Sequence, residues 1–405
     1  MLRAEARIDT GAIERNCAKL AALAPLCAVV KADGYGHGAV EAARAAQRGG
    51  AVYLAVATAN EAAELRAAGV GGPLLVLGAL SPEELDIALV AGAEVVAWRE
   101  DFVAAVAARA AALGAGGAPP PGGVPAPGGV PAPGGVPAPG GVPAPGGVPA
   151  PGGVPAPGGA AGGALASAGG VGVHVKLDTG MGRLGTRDPA EATRVAEAVK
   201  ARGLRLAGAM THFATSDDDP AFMREQLARF LAWDIDAPRH AANSAAALGE
   251  PAARLDMIRC GIAIYGMDPF HRDPADHGLE PALKLVSYVA EVKQARTGES
   301  TGYGRRFIAE RDTWVGTIPI GYGDGFRRGL TNRFEAIVGG RRVKGIGTVS
   351  MDNVTVDLGD EPVPHGTEAV LIGDGILAED LAAQLGTINY EITCGISARV
   401  PRRYA

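Results

Sequence analysis

The chain has few cysteines and few aromatic residues, and it has no charge block or long apolar run. Its four cysteines form no Cys-x-x-Cys pair, which argues against a zinc site and favours reduced thiols. The 38 basic residues are mixed with 44 acidic ones, so no basic stripe predicts binding to nucleic acid or to an anionic membrane. No apolar run reaches the ~20 residues that a membrane span needs, and no signal-peptide core precedes Asp9. These absences favour a cytoplasmic protein, enzyme or not.

Glycine and proline are abundant, and much of both lies in one low-complexity insertion. Residues 122–157 are six tandem copies of Gly-Gly-Val-Pro-Ala-Pro, and the flanks extend this composition over 114–170. Each copy lacks charge and large apolar side chains, so the insertion cannot form a packed core and is predicted to be disordered. Because glycine does not recur at every third position, the repeat does not predict collagen.

Eight short apolar runs, mostly separated by amphipathic or alanine-rich stretches, precede residue 268. Alternation of this kind predicts a (β/α)₈ barrel over residues 8–268, interrupted by the insertion 114–170. The eight predicted strands are 27–31, 52–56, 73–77, 94–97, 171–177, 206–212, 239–242 and 256–260.

The pattern changes in the last third of the chain. Short β-branched runs bounded by Gly, Asp and Asn predict a mostly-β domain over 269–405, with one helix at 377–385. The predicted strands of this domain are 286–292, 313–319, 335–338, 342–346, 353–357 and 369–372.

The most informative residue is Lys31, in the run AVVKADGYGHG, at the end of the first predicted barrel strand. A lysine desolvated at such a position has a lowered pKa and serves as a nucleophile or a base. Other polar residues follow the later strands, where barrel enzymes build their active sites. They are Lys176, Arg183, His212, Ser244 and Arg259, and the second domain adds Tyr303, Tyr322, Met351 and Tyr390.

With these motifs in this order, the chain resembles the bacterial alanine racemases from about Ile8 to Tyr404, apart from the insertion. The resemblance implies interconversion of L- and D-alanine with pyridoxal 5'-phosphate, supplying D-alanine for peptidoglycan. Lys31 then holds the cofactor covalently and acts as a base on one face of the substrate Cα. Tyr303 is the second acid/base, on the opposite face, and it comes from the partner subunit, so a homodimer is implied.

The resemblance also implies roles for the remaining residues. His212 bridges the catalytic tyrosine and Arg259, and Arg259 faces the pyridine nitrogen. Arg183 and the backbone N–H of Met351 hold the substrate carboxylate. The other implied roles are the phosphate cradle (Ser244, Gly261, Ile262, Tyr35 and Tyr390), the substrate entryway (Tyr322) and a lysine that is carbamylated in many members (Lys176).

Three alternatives remain open from the sequence. A racemase of broader specificity differs only in pocket size, which the sequence does not give. A related pyridoxal-phosphate decarboxylase places an acidic residue at the pyridine nitrogen, and Arg259 argues against it. A non-catalytic cofactor-binding barrel ordinarily lacks the second domain that carries Tyr303.

Overall fold

The computed structural model describes residues 2–115 and 170–405, which form an eight-stranded parallel barrel and a mostly-β second domain. The predicted fold class is therefore confirmed. The insertion was predicted to be disordered over 114–170, and residues 116–169 of it lie outside the described part of the chain. At its start, helix 100–115 continues through Gly114 and Ala115, two residues into the segment assigned to the insertion.

The first strand of the chain does not belong to the barrel. This strand, β1 (Glu5–Ile8), pairs antiparallel with one strand of the second domain and parallel with another. Helix α1 (Thr10–Ala21) follows and begins at Asp9, whose carboxylate accepts a hydrogen bond from Ala12 N.

The barrel sheet contains all eight strands predicted from the sequence, within a few residues at their ends. Most are buried on both faces, which explains their continuous apolar runs. Two backbone hydrogen bonds, Asp256 N to Arg239 O (3.0 Å) and Arg259 N to Ala242 O (2.9 Å), connect its edges into a nearly closed barrel. In chain order the strands are β2 (Leu26–Val29), β3 (Ala51–Val56), β4 (Leu74–Val76), β5 (Glu94–Ala97), β6 (Gly172–Lys176), β7 (Arg205–Met210), β8 (Arg239–His240) and β9 (Ile258–Cys260).

Helices alternate with these strands, and most of them begin at a side-chain cap. Thr58 and Ser81 form capping boxes with Glu61 and Glu84, which satisfies otherwise unpaired N–H groups. Only a 3₁₀ turn follows β9, and α1 packs against that turn and against the next helix in the chain, filling the eighth helical position. The helices are α2 (Ala39–Arg48), α3 (Ala59–Ala67), α4 (Pro82–Val90), α5 (Glu100–Ala115), α6 (Pro189–Ala201), α7 (Pro220–Leu231) and α8 (Ser244–Gly249).

The second domain is built on a nine-stranded sheet that includes β1, and on a separate two-stranded hairpin, β12–β13. The sheet order is β11-β14-β17-β16-β15-β18-β10-β1-β19, so five strands separate β10 from its chain neighbour β11. Its strands and the hairpin are β10 (Leu283–Tyr288), β11 (Glu291–Ala295), β12 (Ser300–Thr301), β13 (Phe307–Ile308), β14 (Thr313–Ile318), β15 (Glu335–Val338), β16 (Arg341–Ile346), β17 (Val354–Gly359), β18 (Glu368–Ile372) and β19 (Arg402–Tyr404).

Two expectations about this domain were wrong. The single strand predicted at 286–292 is two strands, because the chain crosses between sheet partners: Val289 N donates to Thr367 O and Ala290 N to Thr317 O, both at 2.8 Å. The domain also has two helices instead of one, α9 (Ala378–Leu385) and α10 (Asn389–Cys394). In the part of the chain that the structure describes, no helix is long and apolar enough to cross a membrane.

Candidate active site

A cavity of about 420 Å³ opens where the barrel strands end, and ten of the thirteen predicted site residues line it. The carboxyl ends of β6 and β9 and the segments that follow β2, β6, β7, β8 and β9 supply nine of them, and α10 supplies the tenth. Carboxyl ends of parallel strands meet at one face of a barrel, so residues far apart in sequence converge there. The ten residues are Lys31, Tyr35, Lys176, Arg183, His212, Ser244, Arg259, Gly261, Ile262 and Tyr390.

Lys31 stands at the start of a left-handed turn. Residues 32–35 have φ values between 51° and 60°, although only Gly34 among them is a glycine. Left-handed residues other than glycine cost about 1–2 kcal/mol each, so this turn stores backbone strain at the site. Glu61 stabilises the turn by accepting a 2.7 Å hydrogen bond from Ala32 N. Burial, followed by the positive charge of Arg183, lowers the pKa of Lys31 and increases its neutral fraction.

One corner of the cavity collects hydrogen-bond donors around Gly261. Ser244 Oγ lies 3.1 Å from Gly261 N, and Tyr35 and Tyr390 line the same cavity. Burial raises the pKa of both tyrosines, so their hydroxyls keep their protons and can donate. A Cβ on residue 261 would lie 2.2 Å from Tyr35 Oη, so only glycine leaves this corner open. Such a cluster of neutral donors suits a phosphate group.

Arg259 is buried in the floor of the cavity, and its two terminal nitrogens are fully engaged. Nη2 donates to the carbonyls of Thr211 (2.8 Å) and Ala241 (3.0 Å), and Nη1 donates to the carbonyl of His240 (2.8 Å). No acceptor among residues 2–115 and 170–405 takes the Nε–H, which is therefore available to a bound group. Burial lowers the pKa of Arg259 to about 10, which still leaves it protonated at neutral pH.

His212 lies beside Arg259 and is neutral. Its Nδ1 is 3.2 Å from Arg259 Nη2. Because a guanidinium has only donors, this ring nitrogen accepts, and it shares the two hydrogens of Nη2 with the carbonyls of Thr211 and Ala241. The proton of the neutral ring is then on Nε2. Burial and the positive charge of Arg259 keep the pKa of His212 well below its usual value.

Lys176 and Arg183 flank a turn organised by Asp178. The Asp178 carboxylate accepts hydrogen bonds from Gly180 N and Gly182 N, both at 3.0 Å, which fixes the turn that carries Arg183. Burial alone would raise the pKa of Asp178, but these bonds outweigh it and the pKa is lowered. Burial, followed by the charges of Arg259 and Arg183, lowers the pKa of Lys176 to about 8.

The three remaining predicted residues lie outside the cavity, on the surface of the second domain. Tyr303, between β12 and β13, is 74% exposed, and Tyr322 and Met351 are 42% and 52% exposed. Hydrogen bonds connect the first two to the segment 348–351, which contains Met351: Thr348 Oγ1 donates to the Tyr303 carbonyl (2.6 Å), and Tyr322 N to the Ser350 carbonyl (3.0 Å). None of the three lines the cavity that contains Lys31 in this subunit.

Profiles of two known domain families match the two parts of the chain. The profile described as "Alanine racemase, N-terminal domain" matches residues 8–118 and 161–269. The profile described as "Alanine racemase, C-terminal domain" matches residues 282–404. The chain belongs to the alanine racemase family. The residues left unmatched between 118 and 161 fall within the Gly/Pro insertion.

Individual alanine racemases resemble the chain over almost its full length. The alanine racemase of Desulfovibrio desulfuricans is 34% identical, over 98% of this chain and 97% of that protein. The one from Geobacillus kaustophilus is 35% identical, over 98% and 92%. Among solved structures, alanine racemase from Streptomyces lavendulae superposes with a TM-score of 0.82 at 31% identity, covering 100% of this chain and 97% of that one. The prediction of an isomerase of this family is confirmed.

Two residues of the site were missed in reading the alanine racemase motifs, one that lines the cavity and one that holds the turn before Arg183. Cys394, at the end of α10, lines the cavity, and burial raises the pKa of its thiol. The sequence carried no signal for it, because α10 itself was not predicted. Asp178 was quoted only as part of the Lys176–Arg183 segment, although an aspartate before a glycine-rich turn is a recognisable sign of side-chain-to-backbone bonding.

Proposed function

We propose that the protein interconverts L- and D-alanine with pyridoxal 5'-phosphate, in a homodimer that places Lys31 and the partner subunit's Tyr303 on opposite faces of the substrate. The observation that carries this proposal is the cavity in which Lys31, Arg259 and the donor corner at Gly261 converge. The product D-alanine would serve peptidoglycan synthesis. Family membership supports the reaction, and the site residues support the mechanism.

The residues present fit the cofactor. Lys31, with its lowered pKa, suits covalent attachment through its amine, and the donor corner around Gly261 suits the phosphate. The available Nε–H of Arg259 suits the pyridine nitrogen. When bound, pyridoxal phosphate withdraws electrons from the substrate Cα and makes its proton acidic.

Arg259 favours racemisation over competing reactions. An arginine donates a hydrogen bond to the pyridine nitrogen but keeps its own proton, because its pKa stays near 10 even when buried. The nitrogen then carries no full positive charge, which limits electron withdrawal and favours rapid proton return to Cα. A carboxylic acid at this position would favour the long-lived carbanion that a decarboxylase needs.

Two proton-transfer groups are needed because inversion at Cα removes a proton from one face and returns one to the other. Lys31 serves one face. Tyr303 is too exposed to serve the other face of its own subunit, and exposure of an aromatic acid/base suits a residue that enters a partner's cavity. The Nε2–H of His212 points away from Arg259 and would stabilise the phenolate of that tyrosine by donating to it.

Arg183 would orient the substrate by binding its carboxylate, and Lys176 would in turn orient Arg183. A guanidinium binds a carboxylate in a bidentate manner, which fixes the amino acid relative to Lys31. A protonated Lys176 would repel Arg183. Reaction of its neutral amine with CO₂ gives a carbamate and releases one proton, which converts a repulsive cation into an anion that orients Arg183.

The test follows hydrogen at Cα. Purified protein with pyridoxal phosphate and L-alanine in D₂O is expected to yield D-alanine carrying deuterium at Cα, measured by chiral chromatography with mass detection. Exchange into L-alanine without any D-alanine would reject the second base. Absence of both exchange and D-alanine would reject the alanine reaction, and the same assay with L-serine and L-lysine then tests a broader racemase.

A further inference from the structure

A line of buried polar side chains crosses the interior of the barrel behind Arg259. Arg259 Nη1 lies 2.8 Å from His240 Nδ1. The other ring nitrogen of His240, Nε2, lies 2.8 Å from His174 Nδ1, and His174 Nε2 lies 2.7 Å from Glu94 Oε2. All four residues are less than 9% exposed. Barrel interiors are ordinarily filled by layers of apolar side chains. Burying polar side chains there costs free energy, so a continuous row of them suggests a specific role.

The surrounding backbone leaves room for the two imidazoles. Gly208 on β7 faces both rings: a Cβ there would lie 2.6 Å from His174 Nδ1 and 3.0 Å from His240 Nε2. The rings meet edge to face, with centroids 4.9 Å apart. Glycine at 208 therefore permits the histidine pair, and any side chain there would push the rings apart.

The direction of every hydrogen bond in the line follows from Arg259. A guanidinium has donors only, so His240 Nδ1 accepts and the proton of this neutral ring is on Nε2. His240 then donates to His174 Nδ1, which must accept, so the proton of His174 is on its Nε2. That proton is donated to Glu94. Both histidines are therefore neutral Nε2–H tautomers, even though one of them touches a carboxylate.

Glu94 is ionised at the far end of the line. Burial would raise the pKa of its carboxyl, but the hydrogen bond from His174 and the charge of Arg205 outweigh burial and lower it. Arg205 pairs with Oε1, and Tyr53 Oη lies 3.1 Å from Oε2. Among the described residues, no carboxylate pairs directly with Arg259, so Glu94 is the anion to which its hydrogen bonds lead.

We propose that Glu94, His174 and His240 are positioning residues for Arg259. Through three hydrogen bonds of fixed direction, they hold the guanidinium plane with its Nε–H towards the cavity and connect its buried charge to a carboxylate. The proposal rests on the proposed function in one respect, because Arg259 needs this orientation to meet a cofactor nitrogen.

The first test reads the tautomers directly. The full-length protein, labelled with ¹⁵N-histidine and prepared with and without pyridoxal phosphate, has only seven histidines to resolve by two-bond ¹H–¹⁵N correlation NMR. The cross-peaks that disappear from the spectrum of the His174→Gln variant identify the ring of His174, and those that disappear in His240→Asn identify the ring of His240. Both are expected as neutral Nε2–H tautomers at pH 7. An Nδ1–H tautomer or a doubly protonated ring at either position would overturn the proposal, and this result does not depend on racemase activity.

The second test measures what the line does for the reaction. Glu94→Gln removes the charge while keeping an acceptor, and is expected to lower kcat about tenfold or more, with KM changed less than about twofold and pyridoxal-phosphate affinity reduced. Tyr53→Phe is the matched control: it removes a contact to the same carboxylate, leaves the three links intact and should keep wild-type kcat. A folded Glu94→Gln protein with wild-type kcat and cofactor affinity would overturn the proposal.

Discussion

Lys176 allows a quantitative prediction about chemical modification. With its pKa lowered to about 8, about one-tenth of its amine is neutral at pH 7. An ordinary lysine with a pKa of 10.5 is neutral in about one molecule in three thousand at that pH. Because CO₂ reacts only with the neutral amine, the site favours carbamate formation about 300-fold over an exposed lysine at the same pH.

We therefore expect a carbamate signal from Lys176 in the ¹³C NMR spectrum of the protein equilibrated with ¹³C-bicarbonate at pH 8. The signal should be absent in Lys176→Ala and present in Lys293→Ala, which removes an exposed lysine of β11. Lowering the pH from 8 towards 6 protonates the amine and should reduce the signal.

The same modification predicts an effect on the reaction. Lys176→Ala is expected to lower kcat by about ten- to a hundredfold, as is typical for residues that orient a site residue, and added acetate should restore part of it. A protein that shows no carbamate at pH 8, together with unchanged kcat in Lys176→Ala, would refute the reasoning.

Three further predictions concern the second base, the phosphate corner and the insertion. Tyr303→Phe should reduce kcat by about 10²–10⁴-fold, while the absorbance of bound pyridoxal phosphate persists; wild-type turnover would exclude the two-base scheme. Gly261→Ala should weaken cofactor binding about tenfold in fluorescence titrations, since its Cβ would overlap Tyr35, whereas Gly71→Ala, with open space around it, should not. Replacing residues 116–169 by a short glycine linker should leave kcat within about twofold, because Gly114 and Gly170 line one small cavity at the barrel face opposite Lys31; a large loss of kcat would place the insertion near the chemistry.

The barrel could be predicted from the sequence because its strands are short apolar runs and its helices carry explicit caps. Ser81 and Pro82, for example, mark the start of α4 in the sequence as clearly as in the structure. The cavity was predictable for the same reason, since chemistry at strand ends requires only the order of the strands. The structure brings ten of the predicted residues together in this cavity. The roles assigned to them remain predictions.

What the sequence did not reveal depends on partners distant along the chain. β1 and β19 are short strands of mixed polarity, and only their pairing with strands distant in sequence identifies them. The tautomers of His174 and His240 depend on Arg259, which lies 19 residues or more away in sequence. The left-handed backbone of residues 32–35 was also not predicted, because three of the four are not glycine and such residues rarely adopt it unless tertiary contacts hold them.

The pairing of β1 with β10 and β19 has a consequence for folding during synthesis. β1 leaves the ribosome before both of its partners: its antiparallel partner follows about 280 residues later and its parallel partner almost 400 residues later. The barrel between them can assemble while β1 is still unpaired, so closure of the second sheet is a late event. An unpaired edge strand is prone to association with other chains, so this interval is the stage at which the nascent protein is most open to misassembly.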